Sequence, residues 1–186
     1  MCGIAGILLE RVDGDAAILA DAHKMAAKLL HRGPNGGSFW HELDAGIALS
    51  HRRLSIIDLS ESGQQPMASA SGNLIITYNG EIYNFPELRN ELEARGHRFR
   101  GRSDTEVMLA CFESFGLQES LERFVGMFAF ALWDRRQRVL HLARDRMGKK
   151  PLYISSSITS AKRASPKIVS IRQFHMKLPT CEHVSV

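Results

Sequence analysis

The chain has no long apolar run. Its most apolar stretches, "LIIT" and "MFAFALW", fall well short of the ~20 residues that cross a bilayer. The opening, "MCGIAGILLE", has neither the basic leader nor the length of a signal peptide, so the expected location is cytoplasmic, away from membranes. Cysteine is scarce: Cys2, Cys111 and Cys181 are odd in number, widely spaced and form no C-x-x-C pair. That argues against a disulfide framework or a zinc ribbon. The 8 histidines contain no H-x-x-x-H or H-E-x-x-H spacing, so no metal site is expected. No glycine-rich phosphate loop is present either.

The charge is equally uninformative about partners. The formal net charge is +4, with 24 basic and 20 acidic residues. The segment 155–186 holds Lys162, Arg163, Lys167, Arg172 and Lys177 against Glu182. The rest of the chain therefore carries 19 charges of each sign. The excess belongs to a tail, not to a basic face, and no nucleic-acid partner is expected.

What is present fits one globular domain plus a tail: 186 residues, 44% hydrophobic and 24% charged. Residues 2–9 read as a buried strand. Residues 15–31 read as an amphipathic helix, with Ile18, Leu19, Ala22, Met25, Ala26, Leu29 and Leu30 at helical spacing and Asp13 or Asp15 as cap. "RGPNGG" turns the chain. "SFWHE" and "AGIALSHRRLSIID" read as strands around Leu43–Asp44. "LSESGQQPMASASGN" is a polar loop, and "NLIITYNG" a strand ending at Asn79–Gly80. Asn84 and Glu87 have the spacing of a capping box, with Pro86 in the first turn of a helix that Gly96 ends. Ser103 and Glu106 open a further helix to about Phe115. "MFAFALWD" and "RVLHLARD" read as paired strands. Hairpins mixed with helices argue against a doubly wound parallel sheet. The domain is read as 2–154, and 155–186 as a divergent basic tail, poorly ordered and without periodicity.

Cysteine directly after the initiator methionine carries chemistry only in context. Removal of Met1 would leave Cys2 with a free α-amine. Such amines have a reference pKa near ~7.7–8.0 and thiols near ~8.5, so the amine is a suitable base for the thiol proton. Read alone, however, Cys2 is a small residue at a chain start. Asn79–Gly80 is a hairpin signal. Asp104 is a carboxylate in the first turn of a helix, where the dipole favours it.

Taken together, "MCGIAG", "HRGPNGG", "LSHRRLSIIDLSESGQQPM", "YNGEIYNFPELRNEL", "SDTEVML", "GMFAFALWD" and "RDRMGKKPLY" resemble, in order, class II glutamine amidotransferase domains. The likeness is greatest to the glutaminase half of glutamine-hydrolysing asparagine synthetases and covers about residues 2–153. It implies an α+β fold, the N-terminal-nucleophile hydrolase four-layer α/β/β/α sandwich with antiparallel sheets. It implies hydrolysis of L-glutamine to glutamate and ammonia through a Cys2 thioester. Asn79 and Gly80 would form the oxyanion hole. Arg53 would bind the substrate carboxylate and Asp104 its ammonium group. Leu54, Ser55, Ile56, Ile57 and Glu81 would line the pocket. Arg52 does not align with the family arginine and reads as a surface residue. Asn35 stands where the family usually has aspartate.

The resemblance breaks after Tyr153. The strands and helix expected there are replaced by "ISSSITSAKRAS", and no "SGGxDS" follows. The expected domain is thus C-terminally incomplete. No cofactor is implied for it; ATP and Mg would serve a synthetase domain that is absent, or a separate synthetase subunit acting as partner. The alternative expectation is an inactive remnant that at most binds glutamine or a partner. The acceptor of the ammonia and the oligomeric state are left open.

Overall fold

A run of nine residues, Leu74–Ile82, buried on both faces from Ile75 to Asn79, forms the strand (β5) around which the molecule is arranged. In the computed structural model, residues 2–9, 15–54, 63–155 and 168–173 are described, without the side chains of 15–17 and 168–173. β5 belongs to a five-stranded sheet with β4 (Met67–Ala68), β6 (Gly126–Asp134), β7 (Val139–Arg144) and β8 (Ile168–Gln173), in the order β4-β5-β6-β7-β8. A three-stranded antiparallel sheet has the order β1-β3-β2, from β1 (Gly3–Leu8), β2 (Gly36–Glu42) and β3 (Ile47–Arg53). Three α-helices, α1 (Asp15–Lys28), α2 (Phe85–Ala94) and α3 (Asp104–Arg123), and a short 3-10 turn at Leu43–Ala45 complete the described elements.

Three apolar clusters set the layer order. Ile18 and Ala22 of α1 pack on Ala48 of β3. On the other face of β3, Ile47 and Leu49 meet Ile75, Ala131, Trp133, Leu140 and Leu142 of the larger sheet. On the far face of that sheet, Ile76, Tyr78, Phe128 and Phe130 pack against Leu88 and Leu92 of α2 and Val107, Met108 and Cys111 of α3. The order is helix, sheet, sheet, helices: the α/β/β/α sandwich that the resemblance implies. The period-2 alternation of β3 and β5 puts successive residues into different layers.

Several local expectations are modified. α1 stops at Lys28, three residues before the expected end, and Leu29 and Leu30 lie in the turn that follows. The side chains of Asp13 and Asp15, expected as caps, lie outside the described residues. Asn79–Gly80 is not a turn: β5 runs through it to Ile82. A Cβ at Gly80 would lie 2.3 Å from the Met127 carbonyl oxygen, and one at Gly126 would lie 2.1 Å from that of Glu81. A glycine on each strand, Gly80 opposite Phe128 and Gly126 opposite Ile82, thus lets β5 and β6 approach closely, and pairing overrides the local turn signal. Asn84 does not cap α2. Its side chain takes the Val125 N–H at 2.9 Å and donates to the Arg123 carbonyl at 3.0 Å, tying α2 to the end of α3. Ser103 does cap α3, accepting from Glu106 N–H. The expected helix end near Phe115 corresponds to a break at Gly116 (φ 76°), beyond which the helix resumes to Arg123.

The tail contains regular structure. Ile168–Gln173 pairs in parallel with β7, although the sequence reading gives 155–186 none. The segment IVSIRQ has three β-branched residues in its first four, a composition suited to strands. It is too short to show periodicity. Residues 156–167 and 174–186 lie outside the described ones. No helix among the described residues is long and apolar enough to cross a membrane.

Candidate active site

The polar end of the inter-sheet layer gathers most of the residues singled out above. β1 pairs with β3 from Gly3 opposite Arg52. Cys2, immediately before, therefore lies beside Arg53, immediately after. Strand alternation puts Cys2, His51 and Arg53 on the face that carries Ile47 and Leu49 into the layer between the sheets. Cys2 is a half-buried free thiol. Arg53 is half-buried too, and its guanidinium lies 3.0 Å from the position of a Cβ on Gly63. Its carbonyl accepts the Asn35 N–H at 3.1 Å.

Asn79 enters the same layer from β5. It is buried, with 6% exposure, and among the described residues its side-chain amide makes no hydrogen bond. Gly80 contributes its backbone. Phe128, its partner on β6, spends its N–H on Asp145 Oδ2 at 3.1 Å and its carbonyl on Asp145 N–H at 2.7 Å. Gly80 and Phe128 are therefore a pair not hydrogen-bonded to each other, and the Gly80 N–H points away from β6. The N–H groups of Tyr78 and Ile82, two residues on either side, point the same way. They are taken by the Gln65 side chain at 2.7 Å and by Asp104 Oδ2 at 3.1 Å.

Asp104 opens α3, directly after the Ser103 cap. It approaches the open edge of β5, where its Oδ2 also accepts from Tyr78 Oη at 2.8 Å. Burial raises the Tyr78 phenol well above its usual range, and the neighbouring Asp104, Glu81 and Cys2 add to that. The same phenol thus lies within electrostatic range of Cys2, Glu81 and Asp104, which come from three separate elements. Glu81 itself is exposed. Leu54 is half-buried just beyond β3. Ser55, Ile56 and Ile57 lie outside the described residues.

Arg52 departs from its surface reading. It points to the opposite face of β3, and its Nε donates to the Ala26 carbonyl in the last turn of α1 at 3.2 Å. Three residues around the site carry no sequence signal of their own. Gln65, buried at 6% exposure in what reads as a polar loop, accepts from Tyr78 N–H and donates to Thr105 Oγ1 at 3.1 Å. Tyr78 lies within the strand pattern "NLIITYNG". His51 is buried, and its imidazole pKa is lowered to about 4 by burial, against a hydrogen bond with the Tyr78 backbone and with repulsion from Arg53 adding to it. Its Nε2 has no hydrogen-bond partner among the described residues.

The other described cysteine is chemically different. Cys111 is buried in the α3 core, and burial pushes its thiol up to about 12. Such a thiol is inert as a nucleophile at neutral pH. Among the described residues no group of three or more His, Cys, Asp and Glu is placed to hold a metal ion. The assembled set is a thiol, a guanidinium, a carboxylate and two amide donors at one end of a sandwich.

Comparison with known proteins identifies the family. The family profile described as "Glutamine amidotransferase domain" matches residues 1–176, past the break at Tyr153. Asparagine synthetase [glutamine-hydrolyzing] 1 of Bacillus subtilis (strain 168) is 41% identical over 157 residues, covering 84% of this chain and 24% of its own length. A putative asparagine synthetase [glutamine-hydrolyzing] of Mycobacterium bovis is 38% identical over 183 residues, covering 90% of this chain and 27% of its own. The chain thus spans about a quarter of the length of the curated relatives it matches. Among solved structures, a glutamine phosphoribosylpyrophosphate amidotransferase from B. subtilis aligns with a TM-score of 0.47 and 24% identity, over 55% of this chain and 24% of that one. The profile match over residues 1–176 and the identity to the synthetases place this chain in the glutamine amidotransferase domain family.

Proposed function

We propose that this domain hydrolyses L-glutamine to glutamate and ammonia, with Cys2 as nucleophile after removal of Met1. The supporting observation is the convergence of Cys2, Arg53 and Asn79 at one end of the inter-sheet layer, with the Gly80 N–H and Asp104 at the adjoining open edge of β5, in a chain of this family. The Cys2 thiolate attacks the side-chain amide carbon, and the α-amine of Cys2 takes the thiol proton. The carbonyl electrons move onto oxygen. There the Asn79 amide and the outward Gly80 N–H are the donors to the oxyanion. Collapse expels ammonia with the proton returned from the amine, leaving a thioester at Cys2. Water then attacks the thioester carbonyl, releasing glutamate and the thiol.

Arg53 pairs with the substrate carboxylate and Asp104 with its ammonium. Leu54 and Glu81 line the pocket. By analogy with the relatives' printed names, the ammonia serves ATP-dependent amidation of an acid such as aspartate. That step belongs to a synthetase site in a linked or separate subunit.

Ammonia release from L-glutamine is the direct test. The wild-type chain should release it and Cys2→Ala should not; equal rates would overturn the assignment. Intact-mass measurement should find Met1 absent, since a retained Met1 blocks the amine.

A further inference from the structure

Asp104 is gripped on one oxygen. Its Oδ2 accepts from Tyr78 Oη at 2.8 Å and from Ile82 N–H at 3.1 Å. Its Oδ1 receives only a long contact, 3.4 Å, from Thr105 Oγ1. The Oδ2 donors come from β5, on the far side of the carboxylate from its own helix. A carboxylate with two donors on one oxygen cannot turn about its terminal bond without losing both.

Tyr78 is itself held. It is buried, and its N–H is bound at 2.7 Å by Gln65 Oε1. Gln65 Nε2 donates at 3.1 Å to Thr105 Oγ1, the residue after Asp104. The contacts close a ring, Tyr78 to Asp104 to Thr105 to Gln65 and back to Tyr78. The ring joins β5 to the start of α3. A threonine hydroxyl accepts from one neighbour and donates to the other, so the directions around the ring are consistent.

We propose that Tyr78 is a positioning residue for ammonium recognition: its hydroxyl pins Asp104 Oδ2, so that Oδ1 is presented to the α-ammonium group of the amino-acid substrate. This rests on the reading of Asp104 as the ammonium-binding residue. A purely structural tyrosine would affect all ligands alike. A positioning tyrosine affects only those that carry the ammonium group.

The test compares L-glutamine with glutaramic acid, which is glutamine without the α-amine. Binding of both is measured calorimetrically to the Cys2→Ala protein and to the same protein carrying Tyr78→Phe. The preference for L-glutamine should fall by about 10-fold, the order expected for loss of a hydrogen bond to a charged group. Glutaramic acid affinity should change by less than about 2-fold, and Asp104→Asn should abolish the effect of Tyr78→Phe, as expected for directly coupled residues. Thr105→Val, which leaves Oδ2 pinned, should retain the preference and serves as a second variant should Tyr78→Phe fold poorly. An unchanged preference in Tyr78→Phe, a parallel loss for both ligands, or an equal loss of preference in Thr105→Val would overturn the role of Tyr78. If the Cys2→Ala parent binds neither ligand, the glutamine reading itself falls and this inference with it.

Discussion

The two ends of the inter-sheet layer are built on the same strands and do opposite things. At one end β3 supplies Ile47 and Leu49 and β5 supplies Ile75, all nearly inaccessible and packed with Trp133 and Leu140. A few residues further along, the same faces present His51, Arg53 and Asn79, with Cys2 alongside. Thr77 marks the change: its hydroxyl donates across the sheets to the Ser50 carbonyl at 3.1 Å. The alternation that buries side chains does not change along the strands; the chemistry of the buried residues does. The apolar end gains from water removal. The polar end keeps His51 Nε2 short of a partner among the described residues, a cost that fits a site awaiting a ligand.

Substitutions should separate the two ends. Trp133→Ala at the apolar end removes a fully buried indole whose Nε1 donates to Glu42 at 2.7 Å. The expected loss is about 3–5 kcal/mol of stability, read from the urea midpoint, while glutamine hydrolysis per folded molecule is retained. Asn79→Ala at the polar end should do the reverse. Hydrolysis should drop about 10²–10³-fold, as for removal of one oxyanion donor, with little change in the urea midpoint. If Asn79→Ala unfolds the protein at full specific activity, the division of labour is wrong.

A pH series probes the polar end through His51. The folded His51 takes its proton only near pH 4, whereas an unfolded histidine does so near 6.5. The unfolded state therefore binds more protons between these values. Stability should be complete above about pH 6.5 and decline as the pH falls to about 4, by on the order of 3 kcal/mol. Below that window the contribution is constant. His51→Gln should flatten the slope of the urea midpoint across the window, and a slope identical to wild type would refute the assignment. The smallest expected effect is that of Gln65→Leu, at the junction of β5 and α3. It strips partners from Tyr78 N–H and Thr105, costing about 1–3 kcal/mol, with a weaker apparent affinity for glutamine.

Much of this was legible beforehand. The order of strands and helices follows from periodicity, and Ser103 and Gly116 act at the positions their residue types imply. Asn79–Gly80 was misread locally because a turn dipeptide and a close strand approach draw on the same residue, glycine. Only pairing with β6, where Gly80 lies opposite Phe128 and Gly126 opposite Ile82, distinguishes them. Gln65 and Tyr78 were not legible as site residues. A glutamine in a polar loop and a tyrosine in a strand acquire their roles only when β5 and α3 meet.

The sequence by itself determined which chemical groups are available: one cysteine at the chain start, one arginine at the end of a strand pattern, one aspartate at a helix start. It also determined the family, through ordered motifs. The tertiary structure decided which groups meet. Register put Cys2 beside Arg53, the parity of the β5–β6 ladder turned the Gly80 N–H outward, and packing sent Arg52 to α1 and Arg53 to the site. Those outcomes depend on pairings between residues far apart in the chain, and local propensity carries no information about such pairings.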